Sequence, residues 1–311
     1  MGETPLMLRP GRAPGARIAI EHRRAKGKAV KSVVITGVSS GIGQGATRVL
    51  VQEGFRVFGS VRRQADADRL RQELGERFVP LLFDVTDVQA VQAGAEQVRA
   101  ALNGEPLFGL VNNAGVAVAG PVLELPLDEL RHQLEVNLVG VVACLQAFAP
   151  LLWQGVAAGE KPGRIVNVTS VGGKTALPFL SPYVASKFAL EGVSESLRRE
   201  LMLFGVEVIV IAPGFVATEM TVKGAQYDVS RYDGTPYAAA LAKVRSFMTP
   251  GERAALKPEQ LGRAIFHALT TPKPAVRYTV SPNPLQTFLI EHLPKRMIDG
   301  MLGGQLGLGP Q

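Results

Sequence analysis

The chain has 311 residues, 46% of them hydrophobic, with one cysteine and a formal net charge of +7. That composition excludes a disordered chain, a disulfide scaffold and a zinc module built on cysteine clusters. The charge is local: residues 1–31 hold eight basic and two acidic side chains, a net of +6, which leaves +1 for the other 280 residues. Basicity therefore gives no reason to expect a nucleic-acid partner. Residues 1–30 lack the uninterrupted apolar run of a secretory signal, and two Glu, several Pro and no Ser match a transit peptide poorly. They read as a flexible basic extension, an organellar address being the other reading. The stretch Val136 to Trp153 is interrupted by Asn137, Gln146 and Pro150 and reads as too short and too polar to cross a bilayer. The expectation is a cytoplasmic protein.

From Lys31 the pattern becomes regular. Ser32 to Thr36 is a β-branched run ending in glycines, the look of a buried parallel strand. Helical periodicity follows through Ala46, Val49, Leu50 and Val51 to a stop at Gly54. Next come a strand Arg56–Val61, a charged helix Arg63–Leu74, a strand Val79–Phe83, a helix Val88–Leu102 and a strand Leu107–Val111. Two long helices, Leu127–Trp153 and Tyr183–Phe204, flank a strand Arg164–Thr169; strand Val206–Ala212, helix Glu259–Leu269 and strand Val276–Val280 complete the pattern. Apolar strands alternating with helices imply right-handed crossovers, and so an α/β fold: a single Rossmann-type doubly wound parallel sheet of about seven strands. No linker divides it. Residues 31–282 are expected to form one domain, with 219–257 as a loop-like lid and 283–311 as an amphipathic helix and tail.

Two clusters carry chemistry. Thr36-Gly37-Val-Ser39-Ser40-Gly41-Ile42-Gly43 lies between the first strand and the first helix, where glycines admit a pyrophosphate and a helix N-terminus offers free N–H groups. On its own it reads equally as a turn without a ligand. Tyr183 and Lys187 are four apart and share one face of a helix. An ammonium beside a phenol is expected to lower the phenol pKa from ~10 toward neutrality, making it a proton donor and acceptor. Ser170 ends the preceding strand, placed to hold a substrate oxygen. The pair alone is also compatible with an ordinary amphipathic helix.

Taken in order, Thr36-Gly37-xxx-Gly41-x-Gly43, Asp84, Asn112-Asn-Ala114-Gly115, Asn137, Ser170, Tyr183-xxx-Lys187 and Pro213-Gly214-xxx-Thr218 make residues 31–280 resemble a short-chain dehydrogenase/reductase. The resemblance implies Tyr183 as general acid/base, Ser170 as the group that polarises the carbonyl, and Lys187 as holder of the nicotinamide ribose. It implies Asn137 as positioner of a relay water, its other reading being a polar residue that bends the helix. For the cofactor it implies the 37–43 loop at the pyrophosphate and ribose, with Ser39, Ser40 and Ile42 contributing. Asp84 and Val85 would meet the adenine, Asn112, Ala114 and Gly115 the adenosine end, and Pro213, Gly214, Val216 and Thr218 the carboxamide and phosphates. It also implies a homodimer or homotetramer built on the two long helices.

Cofactor choice rests on the end of the second strand, where an acid ~20 residues past the glycines would bind a ribose 2′-OH and Arg would accept a 2′-phosphate. Ser60-Val61-Arg62-Arg63 has no acid before Asp66. The expectation is NADP(H) rather than NAD(H), held by Ser60 and Arg62; otherwise these arginines are the solvated start of a helix. Phe58-Gly-Ser-Val-Arg62 and the run Ser170 to Tyr183 resemble the hydroxysteroid and retinol dehydrogenase branch. Val171, Leu177, Phe179 and Leu180 would then line a site for an apolar alcohol, ketone or aldehyde. Leu285, Phe288, Leu289, Leu293, Met297 and Met301 repeat with helical spacing around Pro294, as a packing or lid helix or, beside Lys295 and Arg296, as a peripheral membrane contact. The four histidines show no metal spacing. A scaffold that binds nucleotide without turnover is the alternative, and the intact Asn137, Ser170, Tyr183 and Lys187 set weighs against it.

Overall fold

A computed structural model describes residues 30–157, 159–220, 228–248 and 255–308. The extension 1–29 and part of the 219–257 stretch, with Tyr227, lie outside the described residues. Seven parallel strands are present: β1 Ser32–Ile35, β2 Arg56–Val61, β3 Phe78–Leu82, β4 Gly109–Asn112, β5 Arg164–Val168, β6 Val208–Pro213 and β7 Arg277–Val280. Their order is β3-β2-β1-β4-β5-β6-β7. The order reverses between β1 and β4, and the crevice beyond the strand ends at such a reversal is where ligands bind in open α/β sheets.

The apolar strand sequences follow from burial on both faces. In β1, Val34 faces one core with Phe58, Leu81, Val98 and Phe148, while Val33 and Ile35 face the other with Leu50, Leu70 and Ile265. Helices α1 (Gly41–Gln52) and α2 (Gln64–Leu74) close the second face, and α3 (Val88–Leu102) packs on the first.

The helix expected over 127–153 is not continuous. It divides into α4 (Leu127–Leu134), a π-helical turn Glu135–Val139, α5 (Gly140–Phe148) and a 3-10 turn Ala149–Leu152. A π turn adds a residue per turn and rotates the side chains beyond it, and here it carries Asn137 to full burial. Contrary to the sequence expectation, Leu127–Leu152 is long and apolar enough to cross a membrane, with mean hydropathy 1.7. Half of its most apolar window is buried, however, and Cys144, Phe148, Leu151 and Leu152 are core residues.

Helix α6 (Ser181–Glu200) follows β5, and α8 (Pro258–Thr270) precedes β7. Within the stretch expected to be loop-like lies another helix, α7 (Ala238–Met248). The single C-terminal helix is two, α9 (Pro284–His292) and α10 (Lys295–Leu306), divided at Pro294, which lacks the N–H to continue a helix. Leu285, Phe288, Leu289, Met297 and Met301 are exposed on them; Ile298 and Leu306 are buried.

Candidate active site

The glycine loop is built by backbone constraints. Gly37 turns at φ +70°, a conformation costly to a side chain, and its N–H donates to Ser60 Oγ at 2.9 Å. A Cβ on Gly43 would lie 2.2 Å from the Gly37 carbonyl oxygen and 2.5 Å from Asn113 Nδ2, so the loop folds onto itself only with glycine there. Asn113 Nδ2 donates to the carbonyls of Thr36 (2.9 Å) and Gly37 (3.0 Å). Thr36 Oγ1 in turn accepts from the N–H groups of Asn113 and Ala114, each at 3.0 Å. Sequence reasoning gave neither Thr36 nor Asn113 a role, although both stand in quoted motifs.

Helix α1 begins at Gly41 behind an extended Ser40 that makes no side-chain cap, and its first turn holds no acid. Its free N–H groups and positive dipole end therefore suit an anion. Thr218, beyond β6, lies against Gly41: a Cβ on that glycine would be 3.2 Å from Thr218 Cγ2. A loop closed to side chains beside an uncapped helix N-terminus with no acid in its first turn fits a dinucleotide pyrophosphate.

At the end of β2 the expectations divide. Arg62 is 73% exposed and pairs with Asp84 at 3.5 Å. Burial pushes Asp84 up, but hydrogen bonds from Thr86 N–H and Oγ1 and the charge of Arg62 hold it below the usual carboxylate range. Asp66 takes Arg63 at 2.8 Å and Arg69 at 3.2 Å, which keeps it below the ordinary value despite burial. Arg69 also donates to the Ser39 carbonyl at 2.8 Å. Four of the expected cofactor contacts have buried side chains. Ser60 is 2% exposed, and its hydroxyl accepts from the Gly37 N–H. Asn112 turns into the core, donating to Asn167 Oδ1 at 2.9 Å. Val85 packs in the core against the Gly140 backbone. Val216 is likewise buried, bridged through its backbone to Leu256. Ala114, Gly115 and Gly214 are half-buried at the strand ends, while Pro213 is buried at the end of β6.

Ser170, Tyr183 and Lys187 converge at the end of β5. Ser170 Oγ accepts from Gly172 N–H at 3.0 Å and hydrogen-bonds the Tyr183 phenol. Lys187 is 5% exposed; its Nζ donates to the Val168 carbonyl at 2.9 Å and lies 5.8 Å from the Tyr183 ring centre. Burial pulls the ammonium down to about 8, and the charge of Glu191 opposes that fall. The Tyr183 pKa departs from the sequence expectation: burial raises it above the ordinary phenol value, and the Ser170 hydrogen bond recovers only part of the shift. Desolvation is the largest influence on both groups.

Asn137 accepts from Val116 N–H at 2.8 Å and donates to the Val116 carbonyl and Ser186 Oγ, each at 3.0 Å. Both side-chain atoms are engaged, so anything Asn137 offers a relay water comes from its main chain. Gln133, one helical turn earlier, clamps the same segment through the Val116 carbonyl (2.8 Å) and Val118 N–H (2.7 Å). Gln133 escaped notice in the sequence, where two amides four apart in an apolar run were its only signal.

Of the expected substrate contacts, Val171 and Leu177 are half-buried, and Leu177 lines a small cavity with Leu180, Val244, Leu302 and Leu306. Phe179 is 7% exposed at φ +63° and is the hub of a satellite cluster with Tyr232, Ala240, Leu241, Val244 and Leu306. Tyr237 meets its ring edge-on at 6.0 Å. Phe179 thereby fastens the α7 segment to the end of the 171–180 stretch.

The short chain dehydrogenase family description matches residues 31–228. The chain belongs to the short-chain dehydrogenase family. Among curated proteins it is 37% identical to the NADPH-dependent 3-dehydrocapnine reductase of Ornithobacterium rhinotracheale, over 87% of this chain and 95% of that one. It is 35% identical to human retinol dehydrogenase 5, over 87% of each. A crystal structure of a short-chain dehydrogenase from Streptomyces avermitilis superposes with TM-score 0.72 at 26% identity, covering 92% of this chain and all of that one. A Burkholderia cenocepacia short chain dehydrogenase in complex with NADP gives 0.68 at 25%, covering 90% and 98%. The chain is thus an oxidoreductase of the retinol and hydroxysteroid dehydrogenase-like branch.

Proposed function

We propose that this protein is an NADP(H)-dependent reductase and dehydrogenase that interconverts an apolar alcohol and its ketone or aldehyde. The observation that carries the reading is the meeting of Ser170, Tyr183 and Lys187 at the end of β5, next to a phosphate cradle. NADP(H), when bound, supplies or takes the hydride. The 37–43 loop, the α1 N-terminus and Thr218 would hold its pyrophosphate, and Lys187 its nicotinamide ribose. Arg62, exposed at the end of β2 with no acid beside it on that strand, would take the 2′-phosphate. A relative named NADPH-dependent and a neighbour solved with NADP support that choice.

In the reductive direction the Ser170 hydroxyl donates to the substrate carbonyl and fixes its orientation. The Tyr183 phenol delivers a proton to the same oxygen, and the Lys187 ammonium stabilises the phenolate that remains. In oxidation the proton returns to Tyr183. Val171 and Leu177, half-buried in the segment that leads from Ser170 to Tyr183, would contribute apolar surface, and relatives named for 3-dehydrocapnine and retinol support a lipid-like substrate.

Fluorescence titration with NADPH and NADH tests the cofactor, and NADPH consumption across apolar ketones and aldehydes tests the reaction. NADPH binding about tenfold tighter than NADH is expected, with turnover of apolar carbonyls. Equal affinity would remove Arg62 from the site, and no turnover of any apolar carbonyl or alcohol would overturn the substrate class.

A further inference from the structure

Lys187 sits at one end of a row of alternating charges that leaves the catalytic cluster through the protein. Glu191, one turn further along α6, accepts from Thr169 Oγ1 at 2.8 Å and pairs with Arg277 Nε of β7 at 3.1 Å. Arg277 Nη1 reaches Glu291 of α9 at 3.4 Å and also donates to Thr279 Oγ1. The three charged side chains are largely buried, at 16%, 13% and 9% exposure. Gly173 makes room for the first of them, since a Cβ there would be 2.9 Å from Glu191 Cγ. Arg277 Nη2 is buried without a hydrogen-bond partner. Burying an arginine so incompletely satisfied costs stability, and its ion pairs with Glu191 and Glu291 offset that cost.

We propose that Glu191 is a positioning residue for Lys187: it keeps the buried lysine ammonium charged, and Arg277 sets how much of that negative charge Lys187 feels. The inference rests on reading Lys187 as the lysine of the catalytic pair. The groups facing Lys187 are few. Its own helix brings Tyr183 and Glu191, and β7 and α9 bring Arg277 and Glu291. Strand β6 and the 171–173 turn bring no ionisable side chain, and Lys174 after that turn is exposed. On the packed segment 127–139, Asp128, Arg131, His132 and Glu135 are exposed, and Glu129 is paired with Arg231. Glu191, four residues on from Lys187 along α6, is therefore the carboxylate whose charge reaches it, and Thr169 and Arg277 fix that carboxylate from two other elements. A carboxylate beside a desolvated ammonium favours the charged form, and a cation behind that carboxylate weakens the effect.

The test is the titration of Lys187 in the ligand-free protein, followed by the carbon-13 signal of its Cε in lysine-labelled protein and assigned by its loss in Lys187→Arg. Glu191→Gln is expected to lower the midpoint by about one pH unit, and Arg277→Gln to raise it. Arg277→Lys keeps the charge, so it should leave the midpoint near the parental one even where the arginine geometry is lost. The alkaline limb of kcat/KM should move with the midpoint in each variant. A purely structural role for Glu191 would move Arg277→Gln and Glu191→Gln in the same direction, or move neither, and either result overturns the proposal. The signal needs neither cofactor nor substrate, so such a result leaves the reading of Lys187 standing. That reading would fall instead to undiminished turnover in Lys187→Met.

Discussion

The two sides of the cleft are held together by different physics. On the nucleotide side, Thr36, Gly37, Gly43, Ser60 and Asn113 lock one another through short hydrogen bonds and a backbone approach that excludes any Cβ. On the side of the α7 segment, Phe179, Tyr232, Leu241, Val244 and Leu306 are joined by apolar contact among segments spread from residue 179 to residue 306. Backbone-locked geometry tolerates almost no change, because one methyl group collides with a carbonyl. Apolar packing admits many residues of similar volume, so the same family can keep its cofactor and change its substrate.

That contrast gives predictions of graded size. Gly43→Ala should do the most damage, forcing the loop open and weakening NADPH binding by about 100-fold or more, as read by fluorescence titration; retention of affinity would show that the loop has slack. Asn137→Ala should follow. It leaves the Val116 N–H without its acceptor, while the Val116 carbonyl keeps Gln133, and should cost about 2 kcal/mol in urea unfolding. A smaller effect is expected from Arg62→Ala, which should raise the NADPH Kd about tenfold while leaving NADH unchanged, because only NADPH has a 2′-phosphate to lose. The pH dependence is gentlest. Lys187 titrates at about 8, so below that it is charged and supports Tyr183, and kcat/KM should fall as pH rises through 8. A profile flat to pH 10 would contradict the role given to the ammonium.

The same contrast explains what could be read from the sequence. All seven strands and the meeting of Ser170, Tyr183 and Lys187 were legible, because strand burial writes itself as apolar runs and these three stand at a strand end and on one helix face. The π turn at Glu135–Val139 was not, since it is a one-residue excess in an otherwise regular apolar helix. The acceptor role of the Ser60 hydroxyl toward the Gly37 N–H was not legible either, since it depends on how the loop folds back over β2. The upward shift of Tyr183 was also hidden: spacing reveals its neighbour Lys187, while desolvation depends on everything packed around both. Helix α7 and the Phe179 cluster depend on partners far away in the chain, and no local pattern announces them.

The most direct test of the account is Tyr183→Phe, assayed for NADPH-dependent reduction of the best apolar carbonyl alongside NADPH binding. The substitution removes one hydroxyl from a half-buried ring and leaves the cradle untouched. Turnover is expected to fall by about 10³-fold with NADPH affinity within a factor of about three, since general acid catalysis is lost while binding is not. Turnover within tenfold of the parent would contradict the assignment of Tyr183 as the proton donor and, with it, the chemistry proposed for this cleft.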